Sequence, residues 1–329
     1  MECNNLDVIV LTYNRAEYLR IMLESLCTQT ATGFNIKVLN NCSTDNTIEV
    51  VKEIQEKYPE RNIQIITNEK NLGNPGNFKK SQEVADNEYV AIFHDDDAVH
   101  PEYLETAMSL FKKHKDAVMC CCGSDVKYNI NNNNWDILEK NYFYYPCKDN
   151  AYYQLLCSRP NFATDVYKTS AYKKAHYRPE LYGKLHDICF ILDICQLGGI
   201  INLCGYGLRY RIHSGSDSQN YKTGPFDYEV KNVIGYLKTL IQNHFLSKPL
   251  LWNFMFFLYK WSKINEYMPW ENFINDMNVN LEVQSEGGEL FNKFDKILLK
   301  NKFFIDMLNK LIFKRAQFYR RKLYNKYDK

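Results

Sequence analysis

The residues with the most chemical potential are three consecutive aspartates, Asp95, Asp96 and Asp97, in the stretch AIFHDDDAVHP that begins at Ala91. Carboxylates this close repel one another and raise each other's pKa, so without a cation they cost stability. Asp95 and Asp97 stand at i and i+2 in a turn that leaves an apolar run. That spacing lets them meet one Mn²⁺ or Mg²⁺ ion while leaving positions for phosphate oxygens. A divalent ion on a diphosphate would neutralise charge that builds on a leaving group. The plain alternative is an Asp-rich turn that caps a helix at Pro101. Three acids in a row after an apolar run favour the metal.

Other polar clusters recur at the ends of apolar runs. Thr12, Tyr13, Asn14 and Arg15 follow the first run; an aromatic there can stack on a nucleobase or be partial core. Asn40 and Asn41 open NNCSTDNT and can bond a base edge or ribose, whereas Ser43, Thr44 and Asp45 are helix N-cap candidates, a role that needs no function. Asn71, Gly73 and Asn77 belong to NLGNPGN, which reads either as an ordinary tight turn or as backbone held close to a nucleotide.

The elements that must position these residues alternate. DVIVLT from Asp7, NIKVLN, NIQIIT and YVAIF read as short strands, separated by helices over Ala16–Cys27, about Thr44–Tyr58 and about Asn77–Ala85. This alternation predicts an α/β fold with a doubly wound, mostly parallel, Rossmann-like sheet. Ligands bind such sheets at the carboxyl ends of the strands. TYNR, NNCSTDNT, NEKNLGNPGN and HDDD would then share one edge, which is the predicted active site. From Ser124 to Gly183 no motif is readable, and the tract Asn131 to Asn134 reads as a surface loop. A helix over about Asp187–Gln196 and two apolar runs, GGIINLCG and LRYRIH, follow; beyond Pro225 the chain looks helical and aromatic.

Composition limits the partners. A chain of 329 residues, 45% hydrophobic, can bury a full core. A net charge of +2 argues against nucleic acid. Residues 291–329 carry 12 Lys and Arg against 3 Asp, a balance of +9 that leaves −7 for the first 290. The 11 cysteines form no spaced CxxC pair and read as core residues in a reducing cytoplasm. No signal-peptide pattern opens the chain, and LLWNFMFFLYKW is too short to cross a bilayer, so a cytoplasmic protein without a transmembrane span is expected.

Taken in order, TYNR, N-x-x-S-T-D-x-T, N-L-G with Asn77, and DDD with Pro101 four residues on resemble the nucleotide-binding half of family 2 glycosyltransferases of the GT-A fold, over roughly Leu6 to Val118. The resemblance extends to KLHDICFILDICQLGG, where the matching catalytic base is Asp187, and to a closing aromatic-R-x-H stretch matched by Tyr210, Arg211, His213, Ser214, Gly215 and Ser216. It implies an inverting transfer, of the kind used in bacterial polysaccharide or glycan biosynthesis, from a nucleoside-diphosphate sugar, expected to be a UDP-sugar, to a glycan or lipid-linked glycan. The donor contacts it implies are Thr12, Tyr13, Asn14, Arg15, Asn40, Asn41, Asn71, Gly73, Asn77, Asp95, Asp96, Arg211 and His213, with Mn²⁺ or Mg²⁺ on Asp97, Asp95 and His213. Residues 1–225 would be the catalytic domain, 1–122 binding the donor and 123–225 the acceptor, followed by a helical region over 226–329. His186 departs from the family's usual acid before the base, and Asn40 from its usual acid at the second strand, which weakens the expectation of uracil; His94 has no assigned role.

Three rivals are a sugar-nucleotide-binding scaffold that has lost catalysis, a Mg²⁺-binding phosphoacceptor domain, and a nucleotidyltransferase. The last lacks its Gly- and Arg-rich triphosphate loop here, and the phosphoacceptor needs no R-x-H stretch. The late segments LLWNFMFFLYKW and FFIDMLNKLIFKRAQFYRRKLY leave three readings open: packing against the catalytic domain, an oligomer contact, or an anionic membrane surface met by residues 291–329.

Overall fold

Three of the four apolar runs read as strands are buried along nearly their whole length, and the fourth, NIQIIT, buries only Ile63. β1 (Leu6–Thr12), β2 (Asn35–Asn40) and β4 (Tyr89–His94) line the centre of a sheet, and β3 (Asn62–Thr67) lies at its rim. The structure, a computed structural model, describes residues 1–127, 130, 134–147, 162–213, 227–242, 251–252, 254–256, 259, 269–273, 298 and 301–327. β1 pairs in parallel with β2 on one side and β4 on the other, and β2 pairs in parallel with β3. Helices α1 (Ala16–Cys27), α2 (Thr47–Lys57) and α3 (Gly73–Val84) make the crossovers. α1 buries Leu19, Met22, Leu23 and Leu26, the stripe its spacing predicts. α3 starts four residues before the predicted Asn77, so NLGNPGN is partly a first helical turn; Pro75 is tolerated there because the missing N–H has no intrahelical partner to lose.

The second half is more regular than expected. β5 (Ala98–Val99), α4 (Tyr103–Lys113) and β6 (Ala117–Lys127) are followed by β7 (Tyr142–Tyr145), β8 (Val166–Lys168), α5 (Thr169–Lys174), α6 (Pro179–Tyr182) and α7 (His186–Cys195). GGIINLCG and LRYRIH are not two elements: both lie in one 13-residue strand, β9 (Gly199–Arg211), whose register against β6 shifts at Gly123. Helices α8 (Asp227–Gln242) and α9 (Lys302–Lys322) and strand β10 (Tyr324–Asn325) complete the described elements. The sheet runs β10-β7-β9-β6-β8-β4-β1-β2-β3, with β5 pairing β9. β8 is antiparallel to both β4 and β6, so the sheet is mixed around a parallel core.

Two apolar layers cover the sheet. α1, α2 and α4 pack on one face, and α3, α5, α7 and α8 on the other. Leu251, Trp252, Phe254, Met255 and Tyr259, the described part of the aromatic stretch from Leu250, are buried in the second layer. Phe256 is partly buried against the same layer, so the described residues of that stretch pack on the catalytic sheet. Among the described residues no helix is long and apolar enough to cross a membrane. Asn131, Asn132 and Asn133 of the predicted loop, and Ser214, Gly215 and Ser216, lie outside the described residues.

One buried ion pair ties the strand starts together. The fully buried Asp7 carboxylate accepts Lys37 Nζ at 2.9 Å, the backbone N–H groups of Asp86 (2.8 Å) and Asn87 (3.1 Å), and the side-chain amides of Asn35 and Asn87. Burial pushes this carboxyl up, but these bonds outweigh it and hold it below the ordinary Asp value. Lys37→Met, which strands the carboxylate, is expected to cost about 3 kcal/mol in urea unfolding. Because the folded-state pKa is depressed, the Asp7 contribution is present above about pH 4 and is lost as pH falls through the folded pKa. Asp7→Asn should therefore flatten the acid side of the stability profile as well as lower its plateau.

Candidate active site

The parallel register sets the four polar strand ends side by side. Thr12 lies opposite Asn40, Asn40 opposite Thr67, and Leu11 opposite His94. The chain leaves β1 toward β2 on one side and meets β4 on the other, so a crevice opens between the ends of β1 and β4, the switch point of the sheet. A cleft of about 450 Å³ occupies it.

The acidic turn closes one wall. β4 stops at His94, and Asp95 and Asp96 turn out of the sheet. Asp95 is buried: its Oδ2 accepts the Thr12 hydroxyl at 2.8 Å and the Tyr13 N–H at 3.3 Å. Arg15 Nη1 lies 3.2 Å from Asp95 Oδ1 and 3.0 Å from Asp96 Oδ2, so a guanidinium bridges the two carboxylates. Burial, then the charge of Asp96, push the Asp95 carboxyl up to about 7 despite Arg15 and Thr12. On its other side Asp96 Oδ2 meets His213 Nε2 at 2.9 Å, and its backbone carbonyl accepts Arg211 Nε at 2.8 Å. Tyr18 of α1 braces both partners, with its ring 4.6 Å from the Arg211 guanidinium and 4.9 Å from the His213 ring.

Asp97 is placed differently from its neighbours. Its Oδ1 accepts the backbone N–H of Arg211 at 2.9 Å, its Oδ2 is buried with no hydrogen-bond partner, and burial followed by repulsion from Asp96 push its carboxyl well above the usual range. It is absent from the cleft wall and fastens the turn to β9. Asp96 and His213 pair a carboxylate with an imidazole, donor types that suit Mn²⁺ or Mg²⁺, but they are bonded to each other and only Asp96 lines the cleft. Among the described residues no group of three His, Cys, Asp or Glu side chains is placed to hold a metal ion.

The asparagines build the opposite wall largely by bonding one another. Asn41 donates to Asn71 Oδ1 (2.9 Å) and the Gly73 carbonyl (3.2 Å), and accepts from Asn68 and the Leu72 N–H. Asn77 accepts from Asn68 and donates to the Leu39 carbonyl. Asn14, at φ +51, accepts the Thr44 N–H at 2.7 Å, which joins the first two loops. The buried Asn40 gives its Oδ1 to Ser43 N–H. Asp45, one of the three cap candidates, takes Thr47 N–H and also Ala16 N–H, serving the starts of α2 and α1 together.

Across the cleft stands Asp187, in the first turn of α7. Its Oδ1 accepts Ile188 N–H at 2.8 Å, and burial raises its carboxyl although His186 pulls the other way. A raised carboxylate is a better proton acceptor at neutral pH. Behind it Asp165, wholly buried, receives the Tyr167 hydroxyl at 2.7 Å; burial pushes it up to about 8, the hydroxyls of Tyr167 and Thr164 opposing.

Of the residues expected at the site, Thr12, Tyr13, Arg15, Asn41, Asn71, Gly73, Asn77, Asp95, Asp96 and Asp187 line the cleft. Asn14, Asn40, Asp97, Arg211 and His213 do not line it: Arg211 and His213 bond Asp96, which does, Asp97 bonds the Arg211 backbone, and Asn14 and Asn40 bond Thr44 and Ser43 of the second loop. The cleft also recruits Leu11, Asn74, His94, Phe162, Ala163 and Tyr210, for which no role was expected. Asp165 and Tyr18 were not singled out either: a lone Asp in NFATDVYK and a helical Tyr carry no motif.

A doubly wound sheet with a donor-side crevice, an acidic strand end and a facing carboxylate defines a nucleotide-sugar transferase architecture of the GT-A type. Residues 7–177 match Glycosyl transferase family 2, and the chain belongs to that family. Over 132 residues it is 33% identical to the uncharacterized glycosyltransferase YibD of Escherichia coli, covering 40% of this chain and 37% of that protein. Over 115 residues it is 33% identical to the Staphylococcus aureus poly(ribitol-phosphate) beta-N-acetylglucosaminyltransferase TarS, covering 34% and 20%. These matches thus span well under half the length of either relative. Among solved structures, S. aureus TarS 1-349 in complex with UDP-GlcNAc shares the fold with a TM-score of 0.64 at 19% identity, covering 98% of this chain and 94% of that one. The mannosyltransferase PcManGT of Pyrobaculum calidifontis, in complex with GDP-Man and Mn²⁺, gives 0.51 at 12% identity, covering 95% and 85%.

Arg15→Met removes the bridging cation from two adjacent carboxylates, and a loss of about 1–2 kcal/mol in thermal or urea unfolding is expected. Asp165 titrates from a raised folded pKa, so the native state holds one proton more than the unfolded chain between about pH 4 and pH 8. Its contribution to stability therefore falls as pH rises through that window, by up to about 1.4 kcal/mol per pH unit, and Asp165→Asn should abolish that slope.

Proposed function

We propose that this chain transfers a sugar, with inversion, from a nucleoside-diphosphate sugar, and more narrowly a UDP-sugar, to a hydroxyl of a glycan or lipid-linked glycan. The observation that carries this reading is that Asp187 and the Asp95–Asp96 turn face the same cleft. One wall can hold a diphosphate while the other holds a base. The neighbour bound to UDP-GlcNAc supports the donor class through its shared fold.

Tyr13, 42% exposed at the cleft mouth, offers its ring to the nucleobase, and Asn41, Asn71 and Asn74 present amides for the base edge and ribose. Arg15 moves its charge from the aspartates toward the arriving diphosphate, with which a guanidinium pairs well. Asp96 with His213, rather than the inward-facing Asp97, would hold a Mn²⁺ or Mg²⁺ ion, which when bound neutralises charge on the leaving diphosphate. Arg211, stacked on Tyr18 and bonded to the Asp96 carbonyl, fixes the position of that carboxylate.

Asp187 accepts the proton of the acceptor hydroxyl as its oxygen forms the new bond to the anomeric carbon. The bond from that carbon to the diphosphate oxygen breaks on the opposite face, and its electron pair leaves with the nucleoside diphosphate. A neutral Asp165 keeps a second negative charge away from Asp187 at this step. Residues 1–122 supply the donor wall and 123–225 the acceptor wall in this reading, and the ten described free thiols, seven of them buried, suit a reducing cytoplasm.

A panel of nucleotide sugars is expected to contain at least one that raises the melting temperature in the presence of Mn²⁺, by mass action on the native state. Slow hydrolysis of that donor by water gives a readout without the acceptor and separates an enzyme from a binding scaffold. Asp187→Asn should keep the thermal shift and lose about 10²–10⁴-fold in hydrolysis. Silence across the panel, or normal turnover by Asp187→Asn, would overturn the assignment.

A further inference from the structure

The C-terminal helix α9 has two apolar faces, and the protein covers one of them. Ile305 and Ile312 are buried, with Phe304 and Leu308 packed beside them against the main core. The helix start is capped by Asn301, whose Oδ1 accepts Phe304 N–H at 3.1 Å. Its end is tied to the sheet: Leu323 carbonyl accepts Tyr144 N–H, Arg320 stacks 4.2 Å from the Phe143 ring, and β10 pairs with β7. The helix is thus a fixed part of the fold.

Its outer face is exposed where a soluble helix should be polar. Phe303 is 78% exposed, Met307 43%, Leu311 56% and Phe318 59%. At 3.6 residues per turn these four fall within about 80° of one another, on the side opposite Ile305 and Ile312. The exposed basic side chains of Lys310, Arg321 and Lys314 fall at and just within the Phe303 edge of this stripe, those of Lys322 and Arg315 just beyond its Leu311 edge, and Phe313, 56% exposed, lies outside it. The helix as a whole carries 7 Lys and Arg and a single Asp.

We propose that this outer face of α9 docks the protein on a bilayer that contains anionic lipid. An apolar stripe bordered by cations matches the boundary between acyl chains and anionic headgroups. A second copy of the chain fits less well, because a self-complementary contact would set the same basic borders against each other. Docking through α9 would bring the catalytic sheet to the membrane, where a lipid-linked acceptor is held; the docking itself requires no sugar transfer.

The test is flotation of the full chain with vesicles of phosphatidylcholine alone and of phosphatidylcholine with phosphatidylglycerol. The protein is expected to float with the anionic vesicles, to stay behind with the neutral ones, and to be released by salt. Two variants, F303S/L311S and K310E/K314E, change exposed residues only and should each weaken binding at least about tenfold, since one basic side chain near an anionic surface strengthens adsorption about fivefold. An unchanged cooperative thermal melt and far-UV circular dichroism spectrum in both variants show that they fold. Wild-type protein that ignores anionic vesicles, or binding that survives F303S/L311S, overturns the proposal. So does a concentration-dependent dimer that the same variant abolishes, which would assign the face to a second copy. Vesicle binding needs no nucleotide, so its failure leaves the donor chemistry standing, and the reverse holds.

Discussion

Three adjacent carboxylates at the end of a buried strand must be neutralised, and much of the site follows from how that is done. Each aspartate has its own solution. Asp95 is turned inward onto the Thr12 hydroxyl and the Tyr13 amide, and its raised pKa lets it shed charge. Asp97 accepts the Arg211 N–H of β9 with one oxygen, and burial and the Asp96 charge raise it as well. Asp96 is left facing the cleft between the Arg15 guanidinium and the His213 imidazole. A site built this way is held together when empty and has cations ready to turn toward a diphosphate.

The same economy appears in the polar loops. Positive-φ positions at Asn14 and Cys42 bring the first two strand-end loops close enough to stitch, and Asp45 then secures the starts of two helices at once. The Asn41, Asn68, Asn71 and Asn77 amides form a lattice beneath the third loop. Buried amides must find partners, and in a lattice they find one another. Such a wall is rigid without a hydrophobic core beneath it, which a polar ligand requires.

Residues 6 to 94 were legible because their signals are local. Apolar runs ending in polar clusters gave β1 to β4, and helical spacing gave α1 to the residue. The second half was not, for identifiable reasons. β8 has three residues and reverses direction between two longer strands, so neither periodicity nor length marks it. The polar end of β6 and the bulged middle of β9 hide their pairing, which is set by register across about eighty residues of chain. Within the acidic turn, i and i+2 share a side only while the strand continues. β4 ends at His94, the turn rotates the next residues, and the cleft receives Asp95 and Asp96 instead of Asp95 and Asp97. The asparagines had been read as ligand contacts, yet most of their capacity is spent on the loops, a distinction that residue type alone does not carry.

In the proposed reading, donor and acceptor demands fall on different parts of the chain. A nucleoside diphosphate presents one constant shape and charge, so strand ends and short motifs suffice to meet it. The acceptor wall comes from elements whose positions depend on long-range pairing: Phe162 and Ala163 beside the short strand β8, Asp187 at the start of α7, and Tyr210 on β9. β9 joins the two demands physically. Its Arg211 amide holds Asp97, its Arg211 side chain holds the Asp96 carbonyl, and Tyr210 reaches the cleft from the same strand. A shift of β9 by one residue would turn Arg211 to the other face of the sheet and release the acidic turn. The register of β9 against β6 and β5, rather than any single site residue, therefore couples the geometry of the acceptor wall to the charge balance of the donor wall.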